Sequence, residues 1–438
     1  MELEAVRIVG QTRVWPRHAL RILQNALDGL VSTQTHSLAM TALAQQFQTL
    51  ATTHHDEWVA LRRHLHANPE LSFEEHETMA FVSAQLSAWG VDHETHVTDT
   101  GIVATVQGQN PDARLVALRA DMDALPIKEA NDVPYASTKP GVMHACGHDV
   151  HTTSLLGAVQ LLNATREHWQ GTVRCIFQPG EERLPGGAKG MVAAGVLANP
   201  APAHILGQHV YPQLPSGHVG VRGGDYMAAA DEIHLTVHGR GGHAALPHLC
   251  NDAVLAASAI IVAAQQTVSR GCPPGTPSVL SFGRVEALGA TNVLPNDVSI
   301  QGTFRSMNEE WRKRAHVMIE EIIHSTAKAH GCRAELEIRH GYPHLHNEVA
   351  LTSAFKESAI AYLGADRVHD LDIRMTGEDF SYFANEIPGC FYRLGTASPV
   401  EGDDLGTHGL HTPRFDVDES ALKTGAGLMA YAAATVNR

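Results

Sequence analysis

Apolar residues recur every three or four positions between Asp56 and Trp89, and the pattern is interrupted at Asn68-Pro69. This spacing is typical of helices that bury one face, and proline ends a helix because it lacks a backbone donor. The pattern therefore predicts two helices. Ser72 and Glu75 have the spacing of a capping box, which we expect at the start of the second helix.

The periodicity then changes to short apolar runs that alternate with helical segments. Strands are predicted at 102–108, 114–120, 172–177 and 204–210, and helices at 152–164 and 187–198. Strands that are apolar on both faces and separated by helices are typical of a mostly parallel sheet with helices on both faces. The sequence therefore predicts the α/β class.

A different pattern of strands and helices begins after Gly223-Gly224. The order becomes β-α-β-β-α-β, with strand patterns at 232–239, 278–285, 298–306 and 334–340 and helix patterns at 252–268 and 309–330. This order is that of a ferredoxin-like unit, in which helices cover one face of the sheet. The first pattern then resumes, with a helix at 349–363, a strand at 390–395 and a closing helix at about 418–434.

The two patterns of strands and helices divide the chain into a predicted catalytic domain and a domain inserted into it. The catalytic domain comprises residues 51–224 and 341–438, and the inserted ferredoxin-like domain comprises residues 225–340. Residues 1–50 are a predicted N-terminal extension, in which the apolar spacing at 19–31 indicates a helix. An open sheet face or edge commonly pairs with a second copy, so we expect a homo-oligomer formed through the inserted domain.

Charge and cysteine content narrow the classes of partner. The 438 residues carry a formal net charge of −15 without a long run of one sign, which argues against nucleic acid and membrane partners and favours small molecules. The most apolar run, at 253–264, is too short to span a bilayer. The six cysteines are scattered, and a free thiol at Cys146 survives best in a reducing compartment, so we expect a cytoplasmic protein.

The stretch HACGHDVHTT at 144–153 is the densest group of side chains that can bind metal. A thiolate at Cys146 and an imidazole at His148 suit a borderline-soft divalent ion. Because ligands of a parallel sheet bind beyond the carboxyl ends of its strands, we expect donors that follow different strands to gather at one rim. The donors that follow the predicted strands are Asp121, Asp123, Glu181, Glu182, His209, His408 and His411.

The number of donors exceeds what one zinc ion needs, which is three or four. A surplus of this kind suits two divalent metal ions, such as zinc, manganese, cobalt or nickel, which together polarise a carbonyl and activate water. In the Glu181-Glu182 doublet, one carboxylate would bind metal and the other would act as the general base. These residues alone do not say which, and a Glu pair after Pro-Gly is also typical of an exposed turn.

Eight segments carry a resemblance to a known family. They are ALRADMDALP (117–126), MHACGHDVHT (143–152), FQPGEE to GGAKGM (177–191), GQHV (207–210), HGRGGHAALPH (238–248), TNVLP (291–295), GTFRS (302–306) and TGEDFSYF (376–383). In this order they resemble the amidohydrolases of the M20 metallopeptidase family. The nearer likeness is to subfamily D, with its hippurate, N-acyl-amino-acid and auxin-conjugate hydrolases, and it spans about residues 56–436.

The resemblance implies a role for each donor. The implied metal ligands are Cys146, His148, Glu182, His209 and His411. Glu181 would be the general base, and Asp123 would orient a ligand. Asp121 occupies the position where other branches of the family carry a ligating histidine, which is why the Cys146 thiolate would matter here.

The resemblance also implies substrate contacts. His243 would reach the scissile carbonyl oxygen from the inserted domain, either within its own subunit or in a neighbour. Asn292 and Arg305 would hold the substrate carboxylate, and Gly377 would belong to the same binding surface. On residue type alone, a histidine after glycines is also typical of an exposed loop, and Arg305 of an ordinary surface charge.

The sequence thus predicts a metal-dependent amidohydrolase that cleaves N-acyl amino acids into a carboxylic acid and an amino acid. One alternative is a dipeptidase or carboxypeptidase of the same family. Another is a hydrolase with Cys146 as nucleophile and His148 as its base, which leaves the Glu doublet without a role. The last is a non-catalytic module with structural metals, which is disfavoured because structural zinc sites lack a spare carboxylate.

Overall fold

The computed structural model of the protein describes residues 3–8, 11–16, 21 and 40–436. Apart from residue 21, the helix predicted at 19–31 lies outside the described residues. An antiparallel ribbon of β1 (Leu3–Ile8) and β2 (Gln11–Pro16) precedes it. Residues 40–53 form a helix, α1, and its Phe47 is fully buried in the largest hydrophobic core.

The other elements have the following bounds. The helices are α2 (His55–Ala67), α3 (His76–Ala88), α4 (His148–Ala164), α5 (Gly187–Ala193), α6 (Ala253–Ala264), α7 (Glu309–Ala329), α8 (Val349–Leu363), α9 (Ser381–Glu386) and α10 (Ala421–Thr435). The strands are β3 (Asp92–Val97), β4 (Gly101–Gln107), β5 (Leu115–Asp121), β6 (Thr172–Gln178), β7 (Ile205–Pro215), β8 (Val219–Val221), β9 (Gly224–Met227), β10 (Ala229–His238), β11 (Gly242–His243), β12 (Ser278–Glu286), β13 (Val293–Leu294), β14 (Asp297–Ser306), β15 (Arg333–His340), β16 (Leu345–Asn347), β17 (Val368–Asp370) and β18 (Gly389–Ala397).

The larger sheet has eight strands in the order β17-β8-β18-β7-β5-β6-β4-β3. Its four central strands, from β18 to β6, run parallel. The direction changes towards the edges, where β8 runs antiparallel to β18 and β4 runs antiparallel to β6. The predicted α/β class with a mostly parallel sheet is confirmed.

Both faces of this sheet are covered, as the apolar strand runs predicted. Along β5, Val116 and Leu118 belong to the core beneath α4 and α10, whereas Ala117 belongs to a second core with α5 and α9. Helix α4 is buried along most of its length. It packs closely against α10 at Gly157, because a Cβ at this position would lie only 2.7 Å from the Cβ of Ala426. Helix α4 therefore lies directly beneath the sheet and fixes its first residue, His148, at the sheet rim.

The smaller sheet is antiparallel, in the order β12-β14-β10-β15, and α6 and α7 pack on one face of it. This is the strand order of a ferredoxin-like unit, as predicted. The apolar stretch Ala253–Gly271 has the length and composition of a membrane span, but its Ala256 and Ile260 are buried in this core. It therefore packs one face on the smaller sheet and leaves its other face, with Leu255 and Val262, exposed.

Local predictions failed where tertiary contacts dominate. The capping box is wrong, since Glu75 makes no side-chain cap to α3 and Ser72 donates instead to Asp123 Oδ2 at 2.6 Å. The Glu75 carboxylate accepts hydrogen bonds from Thr100 Oγ1 at 2.6 Å and from the Gly180 backbone at 2.7 Å. Strand β3 was not predicted, because its polar sequence DHETHV forms the half-exposed edge of the sheet.

Candidate metal centre

The ends of the central strands place the predicted donors at one rim of the large sheet. Asp121 is the last residue of β5, and the Glu181-Glu182 doublet follows β6 by two residues. His209 lies on β7, and His148 is the first residue of α4. The carboxyl ends of parallel strands and the start of a helix thus meet here, as expected for this class of fold.

The five predicted ligands form one cluster. Cys146, His148 and His209 have donor atoms within 4.8 Å of one another, and so do Cys146, Glu182 and His411. Cys146 belongs to both groups. The arrangement is a pair of overlapping donor sets rather than a single one, which matches the geometry needed for two ions that share a ligand.

Asp123 holds the ring of His148 in a defined orientation. Its Oδ1 lies 3.1 Å from His148 Nδ1, while its Oδ2 accepts hydrogen bonds from Ser72 Oγ at 2.6 Å and from the Glu182 backbone at 2.9 Å. The opposite ring nitrogen, Nε2, lies 3.9 Å from Glu182 Oε1. A carboxylate that fixes one imidazole nitrogen and leaves the other for metal is the usual support of a ligating histidine.

His209 and His411 complete the cluster from different directions. His209 Nδ1 lies 2.8 Å from the carbonyl oxygen of Val210, and its Nε2 lies 3.4 Å from Cys146 Sγ. His411 Nε2 lies 3.2 Å from Glu182 Oε1. The His411 backbone has a φ of 60°, a left-handed conformation that residues other than glycine rarely adopt. Such strained residues concentrate at functional sites.

One buried nitrogen tests whether the cluster fits metal. Within the described part of the chain, His148 Nε2 is buried and has no hydrogen-bond partner, and Asp121 Oδ2 lies 3.7 Å from it. Buried polar atoms are normally satisfied, so this nitrogen is available to bind a cation. His151 differs, because its Nδ1 lies 2.6 Å from Asp121 and its Nε2 accepts from the Val210 backbone at 2.8 Å. The donor set fits two divalent ions, with His151 as a supporting residue outside it.

The cluster is rich in negative charge. Burial and the neighbouring carboxylates of Glu378 and Glu182 raise the pKa of Glu181 well above its usual value. Burial, followed by Glu182 and Glu181, also raises the pKa of the Cys146 thiol. Like charges buried together disfavour ionisation unless a cation compensates them. The side chains therefore need a positive charge among them.

A buried arginine, which sequence reasoning missed, ties this rim to the loop that follows β17. Arg119 forms ion pairs of 2.7 Å with Asp121 and Asp379 and of 3.1 Å with Glu378. Tyr342 was missed as well, and its hydroxyl donates to the Glu181 carbonyl oxygen. Arg119 lies inside the motif ALRADMDALP. A charged residue within an otherwise apolar strand pattern was the feature from which its burial and pairing could have been predicted.

A cavity of about 1150 Å³ opens from the cluster towards the smaller sheet. Arg305 and Gly377 line it, together with Glu181 and most of the donors. His243 and Asn292 do not line it. His243 is exposed on the short ribbon of β11 and β13, and the Asn292 carbonyl accepts from the neighbouring Ala244 backbone at 3.0 Å. Of the site residues that the resemblance implies, the structure thus brings all except these two to the rim or its cavity. His408, which we also expected among the donors, is exposed and does not line the cavity.

Comparison with known proteins agrees with this architecture. IAA-amino acid hydrolase ILR1-like 4 of Arabidopsis thaliana is 39% identical over 408 residues, covering 92% of this chain and 90% of that protein. N-acyl-L-amino acid amidohydrolase of Geobacillus stearothermophilus is 43% identical over 284 residues, covering 65% of this chain and 76% of that protein. The crystal structure of the Bacillus subtilis YXEP protein, described as a dinuclear metal binding peptidase from the M20 family, has a TM-score of 0.72 at 33% identity and covers 87% of this chain and 98% of that one. The model of peptidase family M20/M25/M40 matches residues 117–435, and the chain belongs to this family.

Proposed function

We propose that this amidohydrolase cleaves the amide bond of N-acyl amino acids, with two divalent metal ions, and releases a carboxylic acid and a free amino acid. The observation that carries the proposal is the cavity in which Glu181 and four of the five donors face Arg305 across the two domains. The names of the two relatives, an IAA-amino acid hydrolase and an N-acyl-L-amino acid amidohydrolase, support the same substrate class.

The proposed ligands are Cys146, His148, Glu182, His209 and His411. When bound, the two ions would polarise the substrate carbonyl and lower the pKa of water. Glu181 would take a proton from the attacking water and deliver it to the leaving nitrogen. Its side chain is only 7% exposed and lies beside Glu182, so it reaches the reacting atoms without competing solvent. Asp123 would keep His148 oriented through the 3.1 Å contact.

Arg305 would hold the α-carboxylate of the substrate. It lies on β14 and forms no ion pair with a carboxylate of the described residues, so its planar fork is available for an anion. Gly377 keeps the approach open, because a Cβ there would lie 3.2 Å from Arg305 Nη1. These contacts support recognition of an amino acid whose amino group is acylated and whose carboxylate is free.

A substrate panel tests this proposal. N-acetyl, N-benzoyl, indoleacetyl and long-chain acyl amino acids, with an unblocked dipeptide as the peptidase alternative, should be assayed on protein whose metal content has been measured. We expect release of the amino acid from at least one acyl class and less from the dipeptide. Exclusive cleavage of the dipeptide would favour a peptidase, and no cleavage of any member would reject the proposed reaction.

We further propose that the inserted domain pairs with a second copy of the chain. The support is a group of exposed apolar side chains on α6 and the segment before it, namely Leu246, Leu249, Leu255 and Val262, which are 45% to 74% exposed. Surface patches of this kind mark interaction sites. His243 precedes the same segment and lies outside its own cavity, so the pairing would allow it to serve the partner's cavity.

Co-expression of two inactive variants tests this pairing. If His243 acts in the partner's site, a dimer of Glu181→Gln with His243→Ala contains one intact site, and random pairing restores roughly a quarter of wild-type activity. A matched control combines Glu181→Gln with His411→Ala, whose defects lie in the same cavity, and should remain inactive. If neither pair of variants regains activity on co-expression, His243 does not act in the partner's cavity.

A further inference from the structure

Two short strands carry the chain between the large and the smaller sheet. Strand β9 leads from β8 of the large sheet into β10 of the smaller sheet. Strand β16 leads from β15 of the smaller sheet back to α8, which packs in the core of the large sheet. The two strands pair antiparallel, so both connections meet in one ribbon, here called the β9–β16 ribbon. Because residues of both sheets line the cavity, a change in the angle between the sheets at this ribbon alters its width.

The sequence His344-Leu345-His346 places two imidazoles on the outward face of this ribbon. Successive side chains of an extended chain point to opposite faces. Leu345 is fully buried in the core that also contains Met227 of β9, whereas His344 is half-buried and His346 is exposed. The two histidines, two positions apart, therefore present their rings on the same side of the ribbon.

Asp225 faces these imidazoles from β9. It is the register partner of His346, and a β-bulge lets the register pass over Tyr226 between this pair and the next. A bulge changes the direction of neighbouring side chains. The Oδ1 atom of Asp225 lies 2.8 Å from His346 Nδ1 and 3.8 Å from His344 Nε2. Among the described residues, Asp225 forms ion pairs with these two imidazoles and with no lysine or arginine.

Glu309 fixes the orientation of the His344 ring. It is the first residue of α7, which packs on the smaller sheet. Its Oε1 accepts a hydrogen bond from the His344 backbone at 2.9 Å and lies 3.4 Å from His344 Nδ1. In the neutral imidazole, a proton on Nδ1 in this contact leaves a lone pair on Nε2, the nitrogen that faces Asp225. Two acceptors then face each other, and a cation between them satisfies both.

The three donors have the chemistry of a zinc site. The donor atoms of Asp225, His344 and His346 all lie within 4.8 Å of one another. Zinc binds imidazole nitrogen and carboxylate oxygen at about 2.0–2.2 Å in a tetrahedron, which places neighbouring donors about 3.3 Å apart. The separations of 2.8 and 3.8 Å from Asp225 Oδ1 lie on either side of this value. A carboxylate that holds the far nitrogen of a ligating histidine, as Glu309 holds that of His344, is usual in such sites.

We propose that Asp225, His344 and His346 bind a further divalent cation of the zinc class, separate from the ions at the rim of the large sheet. Its ligands come from both connections between the sheets, and Glu309 links it to α7. The bound cation therefore restrains the angle between the two sheets and, with it, the opening of the cavity. The three side chains do not line the cavity, so the site takes no part in the chemical step.

A count of bound zinc tests the site. The full chain is dialysed to equilibrium against zinc, and the zinc bound per chain is measured by atomic absorption. We expect His346→Gln to bind one ion fewer than the wild type, whatever number the rim holds. His234→Gln is the matched control and should bind as many ions as the wild type. His234 Nε2 also lies 2.9 Å from a carboxylate, that of Glu232, but both residues belong to the single strand β10.

Hydrogen exchange tests the restraint. Opening of the β9–β16 ribbon has to compete with zinc binding, so at about 100 times the Kd of this site its amides should exchange about 100-fold more slowly. We expect no such effect of zinc in His346→Gln. Slower exchange in the wild type and loss of one ion from His346→Gln would together support the proposal.

Three results would count against it. Equal zinc content of the wild type and His346→Gln would overturn the site. An equal loss of zinc from His234→Gln would assign the ion to exposed histidines in general and overturn it as well. Loss of one ion from His346→Gln without any effect of zinc on exchange in the wild type would support the site and overturn the restraint. None of these measurements depends on amide hydrolysis, so failure of the proposed reaction would leave them unaffected.

Discussion

Glu181→Gln should lower kcat by about 10²- to 10⁴-fold while leaving metal content and substrate affinity close to those of the wild type. The amide keeps the size of the side chain but can neither accept the proton from water nor deliver it to the leaving nitrogen. Glu181 is only 7% exposed and lies beside Glu182 and Glu378, so no solvent-borne base replaces it easily. Single-turnover kinetics and metal analysis of the purified variant measure both effects.

Glu232→Gln is the matched control for this variant. Glu232 lines the same cavity, but it is exposed on β10 and lies outside the donor cluster. We expect its kcat to stay within a few-fold of the wild type. Near-normal turnover in Glu181→Gln would remove this residue from the role of general base, and loss of metal from the variant would show that Glu181 is a ligand instead.

The fold followed from the sequence where burial alone dictates the pattern. Strands β5 and β6 are apolar on both faces because two separate cores enclose them, and their amino-acid runs reflect this directly. Strand β3 escaped prediction because an edge strand needs only one half-buried face. Ser72 and Glu75 have a local helix-start pattern, but contacts with Asp123 and Gly180, far along the chain, take precedence.

The donor cluster was predictable for a different reason. A parallel sheet brings the ends of its central strands together whatever lies between them, so Asp121, Glu182 and His209 had to converge once the strands were located. Tyr342 carried no such signal. Whether its hydroxyl reaches the Glu181 carbonyl oxygen depends on side-chain packing between elements, which strand periodicity does not describe.

Removal of metal should abolish activity, and this result separates metal-dependent hydrolysis from a cysteine-nucleophile mechanism. The latter hypothesis paired Cys146 with His148, but the imidazole in contact with its sulfur is that of His209, at 3.4 Å. A thiol and an imidazole at this distance also suit a nucleophile and its base. The surrounding carboxylates argue otherwise, since Asp121, Glu181 and Glu182 oppose a thiolate unless cations lie among them.

We therefore expect prolonged treatment with EDTA to reduce amide hydrolysis to background, and a divalent ion to restore it in proportion to the metal bound, up to two ions per chain. Cys390→Ser is the matched thiol control, because Cys390 is equally buried but belongs to the hydrophobic core away from the rim. Cys146→Ser should weaken metal binding and activity together, whereas Cys390→Ser should leave both unchanged. Full activity in protein from which all metal has been removed, combined with inactivation by a thiol alkylating agent, would favour the nucleophile mechanism. We expect instead that protein without metal is inactive. The five donors and the Glu181 carboxylate can act as ligands and general base only when metal cations lie at the rim.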